Sequence, residues 1–177
     1  LPLAISTGDP AGVGPEIIGK AWDARREHGL APFFAIGDEA SFKPHWKGPI
    51  VRIDDPADAI GRFDEALPVF HVHSCQQIIP GQPDLDGAHC AYQALELAVG
   101  FARTGSAAAL VTGPVSKAQL YAVGFNYPGQ TEFVAERCGI ARNNAVMMLA
   151  GPDLRVVPMT THVPLIDVAP MLTIEIG

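Results

Sequence analysis

The chain has 177 residues, 48% of them hydrophobic and 18% charged, with a formal net charge of -7. That length fits one sizeable α/β domain, or one domain with part of a second, and the low charged fraction predicts that some apolar surface is covered by a partner or by further chain. An acidic balance without a basic cluster excludes the phosphate-neutralising footprint of a nucleic-acid binder.

Cys75, Cys90 and Cys138 lie far apart with no C-x-x-C spacing, which predicts reduced thiols and a cytoplasmic setting. No apolar run approaches membrane-spanning length and no charged-then-apolar leader opens the chain. It begins at Leu1 without methionine, so a few preceding residues are expected.

A short apolar strand, 1–6, feeds the loop Thr7-Gly-Asp-Pro-Ala-Gly-Val-Gly-Pro-Glu16. Its glycines permit tight or left-handed backbone. Pro15 and Glu16 suit a helix start, and the helix should run to about His28, with Gly29 as its stop. Two nucleotide motifs nearly fit and are set aside. Gly14-x4-Gly19-Lys20 resembles a P-loop but continues with Ala21, where a hydroxyl should hold magnesium. Gly12-x-Gly14 has Ile17 where a dinucleotide fingerprint needs its third glycine.

Strands are predicted at 32–37, 50–53 and 69–72, with Asp38 capping a short helix after the first of them. His71 and His73 share a strand face at a metal-compatible spacing, but no third donor lies nearby, which favours a solvent-facing pair. After the loop Pro80-Gly-Gln-Pro83, Asp86 is expected to cap a helix over 87–104. Its apolar period runs through Ala91, Leu95, Ala98, Val99 and Ala102, and Gly105 should end it.

The run Ala107–Val111 reads as a central parallel strand covered on both faces. Thr112-Gly-Pro114 then falls where ligands gather in such sheets. A short helix over 115–123 carries Lys117, and Tyr127-Pro-Gly-Gln130 leads into a helix over 131–137. Strands at 145–150 and 155–161, joined by Gly151-Pro-Asp153, predict a hairpin that makes the sheet mixed. His162 follows, then a helix over 165–172.

Three positions are candidates for chemistry, each with an ordinary alternative. His162, at a strand end behind two threonines, could hold a metal or serve as a structural hydrogen-bonder. Gln130 and Thr131 open a helix whose free N–H groups favour an anion, although Thr131 followed by Glu132 is also an ordinary cap. Lys117 could offer a point charge to a phosphate, or be a surface lysine.

Taken together, Thr7–Glu16, Leu110-Val-Thr-Gly-Pro-Val-Ser-Lys117, Gly129-Gln-Thr-Glu-Phe133, Val146-Met-Met-Leu149 and Thr160-Thr-His-Val-Pro-Leu165 resemble, in order, the 4-hydroxythreonine-4-phosphate dehydrogenase family of pyridoxal phosphate biosynthesis. The resemblance implies an α/β fold: a three-layer α/β/α arrangement with a mostly parallel mixed sheet, similar to isocitrate and isopropylmalate dehydrogenases. It implies that residues 1–177 are the N-terminal part of a two-domain enzyme, truncated relative to the family. It also implies a cytoplasmic homodimer with a shared active site, dependent on NAD and a divalent metal (Zn, Mg or Co).

In that family His162 would be one of three histidine metal ligands, the other two lying in length this chain does not have. Gln130 and Thr131 would occupy paired substrate-binding positions, and Lys117 would be a further contact at the cleft. No residue of the chain is assigned a catalytic role. The first substrate position is usually histidine. Glutamine there neither titrates nor carries charge, which opens the substrate to other four-carbon phosphorylated hydroxy acids, such as threonate or erythronate 4-phosphate. The competing expectation is a non-catalytic or acyltransferase-like domain of the same fold that binds a small anion.

Overall fold

The computed structural model describes residues 1–73, 78–141, 144–160 and 163–172. They form two compact units, Leu1–Gln130 and Thr131–Gly177.

The first unit is built on a five-stranded sheet, in which every pairing among the described residues is parallel. Its order is β3-β4-β2-β1-β5, with β1 Leu3–Ser6, β2 Phe33–Gly37, β3 Ile50–Ile53, β4 Leu67–His71 and β5 Leu110–Thr112. Alternate side chains of the strands enter two separate cores, as the period of two requires. Phe34 and Ile36 face one core with Cys90, Ala94 and Ala98 of α3 (Leu85–Thr104). Phe33 and Ala35 face the other with Ile18 and Trp22 of α1 (Gly14–Asp23), Phe42 and Trp46. This is the expected helix–sheet–helix layering. Each fully buried Phe or Ile contributes about 1.5–3 kcal/mol.

Helix α3 follows its apolar period: Ala91, Leu95, Ala98 and Val99 are buried. Gly105 ends it in the left-handed conformation, φ 74°. Its cap is Asp84, whose side chain accepts from Gly87 N at 2.7 Å, and not Asp86. With Leu85 already helical, Asp86 falls in the first turn, where its charge still suits the dipole.

Helix α1 stops at Asp23, five residues before the expected end. The Trp22 carbonyl, which would continue the ladder, is taken by Arg25 instead. Arg25 N donates to it at 3.2 Å and Nη1 at 2.9 Å, while the guanidinium lies 3.5 Å from the Trp22 ring centroid. The chain then winds through turns until Gly29, φ 58°. Strand β4 begins two residues earlier than expected, with Pro68 placed opposite Val51. The five-residue α2 (Asp58–Arg62) carries no recognisable period.

Two expectations about the sheet are corrected. Strand β5 is not central: among the described residues it lies at the edge, beside β1 alone, and Val111 is 43% exposed. Among the described residues the hairpin does not join the main sheet. Strands β6 (Leu149–Ala150) and β7 (Arg155–Val156) form a separate antiparallel pair, closed by Gly151 N donating to Leu154 O at 2.8 Å. The second unit holds this pair, most of α5 (Gln130–Arg137) and α6 (Leu165–Met171). It exposes Val146, Leu154, Leu165 and Ile166, each at least 69% accessible. Such an apolar surface matches the expectation, drawn from composition, of a covered face. No helix among the described residues is long and apolar enough to cross a membrane.

Candidate functional site

In an open parallel sheet the ligand crevice forms beyond the carboxyl ends of the strands, where the order of connection reverses. Here β1→β2 runs one way and β4→β5 the other, so that point lies between β1 and β5. Two short turns meet there, the 7–14 loop after β1 and Gly113-Pro114 after β5. A third component is Gln130, the first residue of α5. Ser116 precedes α4 (Lys117–Ala122), which leads the chain away from β5.

The turns are fastened backbone to backbone. Gly113 N donates to Ser6 O at 2.8 Å and Asp9 N to Pro114 O at 3.0 Å. Thr7 is buried, with N and Oγ1 both donating to Ile36 O, at 3.0 and 3.1 Å. Three glycines make this approach possible. A Cβ on Gly8 would overlap the Pro114 carbonyl, and one on Gly14 or Gly113 would overlap the Thr7 carbonyl. Gly8 also has φ 72°, which an L side chain resists. Of the glycines that looked like a phosphate loop, Gly14 has its side-chain space filled by the Thr7 carbonyl and Gly19 by the Trp46 ring. Gly14 and Gly19 lie inside α1, and Lys20 pairs with Glu16 one turn back at 2.6 Å on the surface. Setting aside the P-loop is borne out.

Within the 7–14 loop sits a carboxylate to which the sequence alone assigns no role. Asp9 is 6% exposed, and its Oδ1 accepts from Ala11 N at 2.9 Å. Burial holds its pKa above the ordinary carboxyl value; the Ala11 hydrogen bond works against this, and the nearby Asp84 charge adds to it. Gly-Asp-Pro reads as a turn in sequence, and only its packing against the start of α3 shows the carboxylate to be buried. Gly81 N donates to Ala11 O at 2.8 Å and ties the same loop to the segment before α3. Cys90, one turn further along α3, donates Sγ–H to Val72 O at 3.5 Å, and burial pushes its thiol up to about 12.

Of the expected site residues, Gln130 is at the switch point. Its Nε2 donates to Gly113 O at 3.3 Å, and its Oε1 is buried with no hydrogen-bond partner among the described residues. Thr131 is exposed and lies inside α5, one residue past its start, so it is not the cap. Lys117 is exposed at the start of α4. His162 lies outside the described residues. His71 is half-buried with Nδ1 accepting from Glu39 N at 3.5 Å, and His73 is exposed, its ring 6.0 Å from that of His71.

Among the described residues no three His, Cys, Asp or Glu side chains converge to hold a metal. The described residues thus supply no metal-ligand set of their own. What they offer is an uncharged amide at the mouth of a parallel sheet, beside the first turn of a helix.

The model of the family described as "Pyridoxal phosphate biosynthetic protein PdxA" matches residues 30–176. The chain belongs to the PdxA family. A 4-hydroxythreonine-4-phosphate dehydrogenase of Zymomonas mobilis is 56% identical over 172 residues, covering 97% of this chain and 51% of that protein. One from Erythrobacter litoralis is 47% identical, with 98% and 53% covered. Among solved PdxA-type structures, the 4-hydroxythreonine-4-phosphate dehydrogenase of Burkholderia phymatum superposes with a TM-score of 0.86 at 30% identity, covering 99% of this chain and 55% of the other. The Klebsiella pneumoniae enzyme gives 0.84 at 26% identity, with the same coverage. The chain spans about half the length of the curated relatives it matches.

Proposed function

We propose that the chain is the N-terminal part of a two-domain dehydrogenase that oxidises 4-phosphohydroxy-L-threonine, or a related four-carbon phosphorylated hydroxy acid, with NAD and a divalent metal. The observation that carries this reading is the meeting of Gly113, the 7–14 loop and Gln130 at the β1/β5 switch point of a PdxA-family chain. Gln130 positions a polar group of the substrate. Thr131 adds a hydroxyl in the first turn of α5, where free N–H groups favour an anionic end, and Lys117 supplies an outlying positive charge.

A divalent ion, for which His162 and donors outside this chain would be the ligands, would lower the pKa of a substrate hydroxyl. NAD would supply the hydride acceptor, the hydroxyl proton going to solvent, and a hydroxyl β to the carboxylate, once oxidised, would ready the acid to lose carbon dioxide. The assembly in this reading is a cytoplasmic homodimer with a shared site.

The test is NADH formation from 4-phosphohydroxy-L-threonine by the whole protein that carries this chain, with and without added Zn, Mg or Co. Metal-dependent NADH formation is expected. A protein that binds the phosphorylated acid and forms no NADH with any of these ions overturns the redox reading, leaving a small-anion-binding domain.

A further inference from the structure

We propose that Gln130 meets its ligand as a hydrogen-bond acceptor, so that this position selects a hydroxyl or ammonium group and disfavours a phosphate or carboxylate oxygen. The inference rests on the functional reading above, in which Gln130 faces the substrate. It departs from that reading's simplest form, where the amide would donate to an anion.

The direction of the amide is set by its neighbour. Nε2 lies 3.3 Å from Gly113 O, a carbonyl that can only accept. Turning the amide over would set two oxygens against each other. The anchor itself does not yield, because Gly113 N is bound to Ser6 O at 2.8 Å and a Cβ there would lie 2.6 Å from the Thr7 carbonyl carbon. The donor end of Gln130 is thus committed to protein.

The remaining atom, Oε1, is buried and has no hydrogen-bond partner among the described residues. An unpaired buried amide oxygen is costly, and the large majority of buried side-chain polar atoms are paired. The residue as a whole is only half-buried and stands at the sheet's ligand crevice. A donor arriving with the ligand relieves that cost, whereas an anionic oxygen adds repulsion. A histidine could donate or accept at this position by changing tautomer or protonation; the anchored glutamine has one polarity only.

The experiment is calorimetric binding to the whole protein, wild type against Gln130→Met, which keeps the length and removes the acceptor. The probes are 4-phosphohydroxy-L-threonine, O-phospho-L-homoserine (no hydroxyl), 3-hydroxy-4-phosphooxybutanoate (no ammonium) and inorganic phosphate. Gln130→Met is expected to weaken 4-phosphohydroxy-L-threonine roughly tenfold, the worth of one hydrogen bond, and to leave phosphate unchanged. The wild-type advantage should vanish for whichever analogue lacks the recognised donor. Gln130→Glu, which keeps an acceptor oxygen but loses the bond to Gly113, serves if the Met variant does not fold, and should retain preference for the same donor.

Equal weakening of inorganic phosphate, no change for any ligand, or a loss that persists for both analogues overturns the inference while leaving the functional reading intact. A wild-type protein that binds none of the phosphorylated acids overturns the functional reading, and this inference with it.

Discussion

Replacing Gly8 by alanine tests whether the two turns at the head of the sheet are as closely fitted as the geometry requires. Three alanine substitutions separate the contributions. Gly29 has φ 58°, and no atom of the described residues lies within 4 Å of where its Cβ would stand, so Gly29→Ala costs only the left-handed backbone, about 1–2 kcal/mol. Gly14 has ordinary helical backbone, where alanine gains about 0.5–1 kcal/mol in propensity, but its Cβ would sit 3.1 Å from the Thr7 carbonyl carbon and overlap the oxygen. Overpacking of that kind costs about 1–3 kcal/mol. Gly8 combines both penalties: φ 72°, with Cβ 2.9 Å from both the Gly113 and Pro114 carbonyl carbons.

Relieving the Gly8 overlap would also stretch the 3.0 Å bond from Asp9 N to Pro114 O, worth about 0.5–1.5 kcal/mol net. The expected loss for Gly8→Ala is therefore about 3–6 kcal/mol, a large share of the 5–15 kcal/mol typical of a domain. Urea unfolding followed by fluorescence reads this well, because Trp22 and Trp46 are both buried, at 5% and 7% exposure. The denaturant slope should stay constant across the series. If Gly8→Ala is no more destabilised than Gly29→Ala, the close approach of the two turns is wrong.

Asp9→Asn keeps an oxygen for Ala11 N and removes a buried charge near Asp84. Since burial raises the native pKa, the native state holds a proton that the unfolded chain releases, so this contribution is full below the ordinary carboxyl value and is lost as pH rises through the native one. Titrating urea stability from acid to neutral pH should show that decline in the wild type and a flatter profile in Asp9→Asn. In a Cys75→Ser/Cys138→Ser background, Cys90 should resist an aromatic disulfide reagent at mildly alkaline pH until the protein unfolds, its thiol being held at about 12; prompt labelling of the native protein would contradict its burial. Lys20→Ala should change stability by less than about 0.5 kcal/mol and leave nucleotide affinity untouched, since the Lys20–Glu16 pair is a surface one.

Much of the fold was legible because local signals agreed with the tertiary outcome. The 3.6-residue period of α3, its left-handed Gly105 stop and the all-buried strand β2 each follow from side-chain chemistry alone. The failures have equally local causes. Asp84 and Asp86 are both competent caps two residues apart, and only the helical state of Leu85 decides between them. Ala107–Val111 reads as a central strand because alanines count as apolar, yet Ala108 and Ala109 are exposed and the ladder starts at Leu110.

At the site, the position of Gln130 was readable from the Gly-Gln-Thr helix start. Its bond to Gly113 was not, because that contact spans 17 residues and depends on a neighbour without a side chain. Asp9 was hidden for the same reason, since a carboxylate in a turn looks solvated until the helix it packs against is placed. His162, the residue on which metal binding would turn, lies outside the described residues.

The fastening of the 7–14 loop to Gly113-Pro114 has an evolutionary consequence. With no side chain between them to absorb change, neither turn can drift alone, and an insertion or enlargement in one demands a matching adjustment about a hundred residues away. Gln130 reaches that junction with a side chain instead, so it can be exchanged without prising the two turns apart.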